Sequence, residues 1–85
     1  MKTSFMLMNL YDGKPVIPVD VVAKDYFNLD TRTFLRKVDD GKILLPIVKM
    51  EKSQKSAKGV HLQDLAEYID AQRADARRDM ELMHC

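Results

Sequence analysis

Two arginines spaced four residues apart are the side chains in this sequence best suited to recognising a partner. Arg32 and Arg36 share one face of a predicted helix, and Thr33 and Lys37 form the neighbouring row. Arginine can bond the O6 and N7 atoms of guanine with two hydrogen bonds, and threonine can contact a phosphate or a thymine methyl group. Thr31 and the free N–H groups at the start of this helix suit a phosphate. An ordinary solvated helix remains the alternative interpretation.

A second group of cations follows about a dozen residues later in a polar segment. Lys49, Lys52, Lys55 and Lys58 fall within ten residues, with only Glu51 opposing them. Lysines on such a loop could neutralise the phosphates of a duplex whose groove is occupied by the arginine-bearing helix. A flexible polar hairpin without a partner is the alternative. The order of short helix, turn, basic helix and basic loop is more specific than any one of these parts.

The chain around the arginines has the signals of two helices joined by a tight turn. Apolar residues recur at helical spacing over residues 19–27, which predicts the first helix. In the connector Asn28–Asp30, asparagine tolerates the left-handed conformation, and Asp30 is placed to cap the second helix by accepting from its free N–H groups. The second helix is predicted over 31–40 and is stopped by Gly41. A unit of this kind can place its second helix in the major groove of DNA.

The remaining elements complete a small domain of the α+β class. Residues 3–11 alternate loosely and predict a strand, ended by a turn at Asp12-Gly13. Strands at 47–50 and 60–62 flank the lysine loop and predict a β-hairpin, or wing. A long helix follows from Gln63. We therefore predict a small winged helix-turn-helix with an N-terminal strand, a β-hairpin wing and a long C-terminal helix, forming one domain over 1–85.

Composition excludes several other classes. The only cysteine is Cys85, so no disulfide framework is possible, and His61, His84 and Cys85 lack the spacing of a zinc site. No apolar stretch approaches the length of a membrane span, which is about 20 residues. No phosphate-binding glycine loop and no acid–base pair of recognisable spacing occurs. We expect a cytoplasmic protein that has no cofactor, no metal, no membrane partner and no catalytic activity.

Charge is distributed unevenly along the chain. Residues 1–61 contain 11 Lys/Arg and 7 Asp/Glu, whereas residues 62–85 contain 3 Lys/Arg and 6 Asp/Glu. A basic body with an acidic tail suggests that the body meets an anionic polymer and that the tail does not. The tail, 63–85, carries an apolar stripe that continues beyond the domain, flanked by alternating arginines and acids. This pattern predicts pairing with another helix, and hence a homodimer or larger homo-oligomer; a frayed terminal helix is the alternative. The stripe consists of Leu62, Leu65, Ile69, Ala76, Met80 and Met83.

Two stretches of the sequence resemble the pyocin activator protein (PrtN) family. They are TSFMLMNLYDGKPVIPVDVVAKDYFNL near the N-terminus and LPIVKMEKSQKSAKGVHLQDLAEYIDAQ across the predicted wing, so that the resemblance covers most of residues 3–76. Its most distinctive part is Ser53-Gln54-Lys55 with the later VHLQDLAEYID. The segment LDTRTFLRKVDDGKILLP is also similar to the DNA-reading segment of excisionase and MerR-type winged helices.

The resemblance implies a transcription activator that binds double-stranded DNA upstream of bacteriocin or prophage genes, with RNA polymerase as a candidate partner. Carried over by position, it points to Arg32, Thr33 and Arg36 in the second helix and to Ser53, Gln54 and Lys55 in the wing. Two alternatives stay open. One is an excisionase-type recombination directionality factor, which shapes DNA architecturally. The other is an adaptor that binds proteins and never contacts DNA. The residues predicted to bind DNA are Thr31, Arg32, Thr33, Arg36, Lys37, Lys52, Ser53, Gln54, Lys55 and Lys58.

Overall fold

A computed structural model of the chain describes residues 2–52 and 57–83. It has α1 at Thr3–Leu10, β1 at Val16–Pro18, α2 at Val19–Val22 continued by a π-helical segment at Ala23–Phe27, and α3 at Thr31–Asp39. After these come β2 at Val48–Lys49, β3 at Lys58–His61 and α4 at Leu62–Met83. The architecture is the small α+β, winged-helix-like arrangement that the sequence predicts, with four α-helices, a three-stranded antiparallel sheet and a long C-terminal helix.

The N-terminal segment contradicts the prediction of a strand over residues 3–11. Thr3–Leu10 is a helix, α1, which packs against α4 and buries only Leu7. From Ser4 to Leu10 the segment contains no β-branched residue and is rich in Met and Leu, which lose little side-chain freedom in a helix. The loose alternation that suggested a strand was therefore the weaker signal. The predicted turn at Asp12-Gly13 is confirmed, with φ of 57° and 76° at the two residues.

The first strand of the sheet was not predicted. Val16–Pro18 pairs antiparallel with β3, and Ile17 lies opposite Val60. The backbone N–H of Leu62 also donates to the carbonyl of Pro15 at 2.7 Å, which extends the pairing. Pro18 has no N–H to donate, which β1 tolerates because it is an edge strand. The sheet order is β1-β3-β2, so the predicted hairpin supplies two strands of a three-stranded sheet.

One small core holds these elements together. The largest fully buried side chains come from α3, β1, α4, α2 and β3 respectively, so every central element contributes to it: Phe34, Ile17, Leu65, Val22 and Val60. Tyr11 links the loop after α1 to the π-helical segment, because its hydroxyl donates a hydrogen bond to Oδ2 of Asp25 at 3.0 Å. Burial, followed by hydrogen bonding with Tyr26, raises the pKa of Tyr11 above its usual range. The core thereby fixes α3 and the β2–β3 hairpin on one rigid support.

Candidate nucleic-acid interface

Helix α3 is held in place by an aromatic cluster. Phe34 is fully buried, and its ring centroid lies 5.2 Å from that of Phe27, the last residue of the π-helical segment. Phe27 also contacts Tyr68 of α4, with centroids 5.7 Å apart. The tilted geometry of both pairs is one that aromatic rings prefer. Leu35 and Val38 pack against the same core, as their spacing predicts. The apolar face of α3 is therefore packed against the core, and the opposite face is exposed to solvent.

The connector between the helices follows the predicted geometry at Asn28 but not fully at Asp30. Asn28 adopts the left-handed conformation, with φ of 52°, and the N–H of Leu29 donates to the carbonyl of Ala23 at 3.0 Å. Asp30 occupies the N-cap position with extended backbone, but its carboxylate makes no capping hydrogen bond to the helix. The carboxylate interacts with the Thr33 side chain, and this interaction is the main cause of the lowered pKa of Asp30. The lowered pKa favours the ionised carboxylate of Asp30, which lies at the N-terminus of α3.

The outer face of α3 presents the two arginines. Arg32 and Arg36 are exposed, and neither forms an ion pair within residues 2–52 and 57–83. Thr33 and Lys37, the predicted neighbouring row, are half-buried, as is Thr31 at the helix start. The helix therefore separates into an apolar face in the core, a half-buried border and an exposed face led by two guanidinium groups. Planar guanidinium groups with free donors suit bidentate hydrogen bonds to base edges or phosphates.

The β2–β3 hairpin confirms the predicted wing and brings two lysines together. Lys49 on β2 pairs directly with Lys58 on β3, so both side chains leave the same face of the hairpin. Lys49 is exposed and Lys58 is half-buried. Like charges directly opposite each other across a strand pair are unfavourable unless a counter-charge lies near. Lys52, farther along the hairpin, is exposed. Cations placed together in this way can contact an anionic partner such as phosphate.

Three residues predicted for the wing lie outside the described part of the chain. These are Ser53, Gln54 and Lys55. The hairpin can be followed to the hydrogen bond between the N–H of Met50 and the carbonyl of Ala57, at 3.2 Å.

Sequence reasoning missed a glycine that the pairing of β1 with β3 requires. Gly59 lies in the middle strand opposite both Pro18 and Val48. A Cβ atom at this position would lie 2.8 Å from the carbonyl oxygen of Ile17. No turn signal marks such a glycine, because the requirement comes from a strand distant in sequence. Lys49 was counted among the cations, but its pairing with Lys58 depends on a register that the sequence alone does not reveal.

His61 ends β3 and begins the long helix. Its Nδ1 atom accepts a hydrogen bond from the backbone N–H of Gln63 at 3.0 Å, so the imidazole satisfies one of the free donors at the start of α4. The side chain is exposed rather than packed. Within residues 2–52 and 57–83, no three possible metal ligands come together. No helix of the same residues has the length and apolar character needed to cross a membrane.

Comparison with known proteins identifies one family. A family model described as pyocin activator protein PrtN matches residues 3–76. The match includes α1 to α3, the hairpin and about the first two thirds of α4. No curated protein matches the chain. No solved structure matches it either.

Proposed function

The chain belongs to the pyocin activator protein PrtN family, and we propose that it is a sequence-specific, double-stranded-DNA-binding regulator that activates bacteriocin or prophage genes. In this proposal α3 enters the major groove, and the β2–β3 hairpin lies against the neighbouring backbone. The protein acts by binding rather than by catalysis, and it needs no cofactor. We place it in the bacterial cytoplasm at the nucleoid.

The exposed face of α3 is the observation that carries this proposal. Arg32 and Arg36 are exposed on a helix whose other face is fixed by Phe34 in the core. A recognition helix must combine both properties, because base readout depends on donors held at a fixed position relative to the duplex. We assign base contacts to these two arginines and to Thr33. Thr31 and Lys37, at the half-buried border, contact the backbone.

The hairpin supplies sequence-independent affinity in the same proposal. The paired Lys49 and Lys58 place two positive charges on one face, and Lys52 extends the charge toward the loop. Phosphate contacts position a protein on DNA without reading its sequence. Ser53, Gln54 and Lys55 are proposed to contribute to the same contact, on the basis of the family resemblance.

Two protein partners belong to the proposal. The first is a second copy of the chain, bound through α4, because the helix continues beyond the domain with an exposed apolar stripe. Dimerisation would join two DNA-reading helices and raise the affinity through avidity. The second is RNA polymerase, which an activator must recruit or stabilise at a promoter.

Footprinting the purified protein on DNA around its own gene tests the proposal. We expect one or more protected sites, each reduced by replacement of Arg36 with alanine, and activation of a reporter placed downstream of those sites. Protected sites beside an integrase gene, with DNA bending and no activation, would indicate a recombination directionality factor. Protection of no sequence, at any salt concentration that keeps the protein folded, would rule out DNA recognition and favour an adaptor.

A further inference from the structure

Asp30 lies at the exposed start of α3 without performing the capping role that its position predicts. It occupies the N-cap position, but its side chain makes no capping hydrogen bond to the helix. The residue is exposed, and its carboxylate forms no ion pair within the described parts of the chain. Its interaction with Thr33 occupies one part of a group that has about four acceptor positions. Most of the acceptor capacity of Asp30 is therefore open to a partner.

This acceptor lies close to donors that are assigned to base contacts. Arg32 follows Asp30 by two residues, and its positive charge is among the causes that lower the pKa of the Asp30 carboxyl. The start of α3 thus presents an acceptor beside a guanidinium group. Phosphate oxygens are acceptors, whereas base edges in the major groove offer both donors and acceptors. The mixture matches a base edge better than it matches the DNA backbone.

A carboxylate at the tip of a DNA-reading helix is unfavourable unless it meets a donor. The negative phosphates repel it, and entry into the groove removes water from its oxygens. A hydrogen bond from one base offsets this penalty, and a base without a donor leaves the carboxylate unsatisfied. Specificity arises in this way from disfavouring the wrong partner as well as from binding the right one.

We propose that Asp30 is a specificity-determining residue of α3, whose carboxylate accepts a hydrogen bond from the N4 amino group of a cytosine in the major groove. The assignment rests on the proposed function and adds to it a residue that reads a base as an acceptor. Cytosine fits because its N4 donor has no acceptor beside it in that groove. The N6 donor of adenine lies next to the N7 acceptor, which repels a carboxylate, and the hydrogen-bonding groups of guanine and thymine there are acceptors.

Thr33 holds the carboxylate in a defined place. Its side chain is half-buried, and the next residue, Phe34, is fully buried in the core. Interaction with Thr33 is the first cause of the lowered pKa of Asp30, so the acceptor is ionised at neutral pH. A side chain that is already oriented loses less freedom when it meets a base, which favours recognition over general attraction.

Asp39 offers a comparison within the same helix. It is the last residue of α3 and is exposed like Asp30. Recognition helices contact base edges chiefly with their N-terminal residues. We therefore expect DNA of every sequence to repel Asp39 to a similar degree, so that this carboxylate lowers affinity without reading a base.

The affinities of three proteins for a set of duplexes test the assignment. The proteins are the parent, Asp30→Ser and Asp39→Ser. The duplexes are the footprinted site, the same site with each C·G pair replaced in turn by T·A, and a shuffled sequence, all at one salt concentration. The replacement turns the N4 donor into the O4 acceptor of thymine. Serine is a favoured N-cap residue, so Asp30→Ser should keep the fold, which circular dichroism verifies.

The proposal predicts that one replacement within the site read by each α3 separates the proteins. It should weaken binding by the parent about 5- to 150-fold, the range expected for one good base contact. Asp30→Ser should bind the original and the replaced duplex alike, whereas Asp39→Ser should discriminate as the parent does. Both variants should bind the shuffled duplex more tightly than the parent, because each removes a negative charge.

Two results would overturn the proposal. Losses of equal factor for the parent and Asp30→Ser at every replaced pair would show that the carboxylate reads no base. Uniformly weaker binding of all duplexes by Asp30→Ser would show that Asp30 serves only the structure of the helix start. A parent that prefers no duplex would instead contradict the proposed function, so the two failures are distinguishable.

Discussion

Arg32 and Arg36 illustrate how much a single helical turn determines. Their spacing of four residues puts them on one face, and the burial of Phe34 fixes that face outward. This much follows from the sequence, because one helical period orients both sets of side chains. Which base each arginine meets does not follow, since that depends on the path of the DNA.

Replacing Arg32 or Arg36 with alanine tests the assignment of base contacts. We expect at least one variant to lose about 1–3 kcal/mol of specific binding and to accept a changed base at one position of the site. Arg78→Ala is the matched control, because it also removes one exposed guanidinium but lies far along α4. Fluorescence anisotropy at constant salt measures the affinities. Parent-like binding by both α3 variants would show that other residues read the DNA.

Asp30 gives a prediction about acid stability. Interaction with Thr33 lowers the pKa of the Asp30 carboxyl in the folded protein, so the fold favours its ionised form. Its contribution to stability is therefore present above the pKa of the unfolded chain and is lost as the pH falls through the lowered pKa of the folded state. The parent should be more thermally stable than Asp30→Asn at neutral pH, and the difference in Tm should close in acid.

Thermal melts of both proteins from pH 7 downward measure this difference. Asp39→Asn, which removes a carboxylate at the other end of α3, controls for the change in net charge. A difference between the parent and Asp30→Asn that stays constant across the whole range would contradict the assignment.

At the scale of elements, the helices that carry a clear period were predictable and the segments that depend on distant contacts were not. Four elements lie within a few residues of their predicted positions: the helical segment over residues 19–27, the connector at Asn28, α3 and the hairpin. α1 was predicted as a strand because its residues alternate loosely and its apolar side chains show no helical period. β1 was missed because its three residues, which follow one proline and end on another, form a strand only when β3 is available to pair with them.

The candidate site likewise contains side chains that could be placed from the sequence and others that could not. Side chains on α3 were identified from spacing, because local periodicity is sufficient to place them. The pairing of Lys49 with Lys58 and the need for Gly59 could not be identified, because both depend on strand register. Register is set by the turn and by the pattern of burial, and neither is visible in the lysine-rich loop.

The hairpin as an element should contribute affinity without specificity. A variant in which Lys52, Lys55 and Lys58 are all alanine should bind specific and unrelated duplexes more weakly to a similar degree. The slope of log affinity against log salt should fall by about one for each phosphate that the variant no longer neutralises. Alanine at Lys2, Lys14 and Lys24, three exposed lysines outside the hairpin, provides the control for net charge. An unchanged slope in the hairpin variant would mean that its lysines do not contact phosphate.

The whole molecule consists of a small domain and a helix that extends well beyond it. Its longest dimension is 51 Å and its shortest is 19 Å, and the exposed half of α4 accounts for the elongation. Near its C-terminal end α4 presents three large apolar side chains to solvent, Met80, Leu82 and Met83, and neighbouring exposed apolar side chains can mark an interaction site. Small domains commonly gain stability by self-association, which is consistent with a role for α4 in forming an oligomer.

Removing the chain from Ala74 onward tests this role. The truncated protein should have the mass of a monomer by light scattering and should bind DNA more weakly, because avidity is lost. The core residues of α4, which end at Ile69, stay in place, so the domain should keep its fold and its circular dichroism per residue. A full-length protein that is already monomeric at high micromolar concentration would contradict a role for α4 in assembly.

The central claim is that α3 reads a DNA sequence, and the ratio of two affinities tests it most directly. The measurement titrates the parent protein and the Arg32→Ala/Arg36→Ala variant against a footprinted duplex and a shuffled duplex of equal length, at one salt concentration. We predict that the parent prefers its site by about 10³-fold or more, as specific DNA-binding proteins do, and that the variant loses most of this preference while keeping its fold. Equal binding of both duplexes by the parent, or an undiminished preference in the folded variant, would contradict the claim.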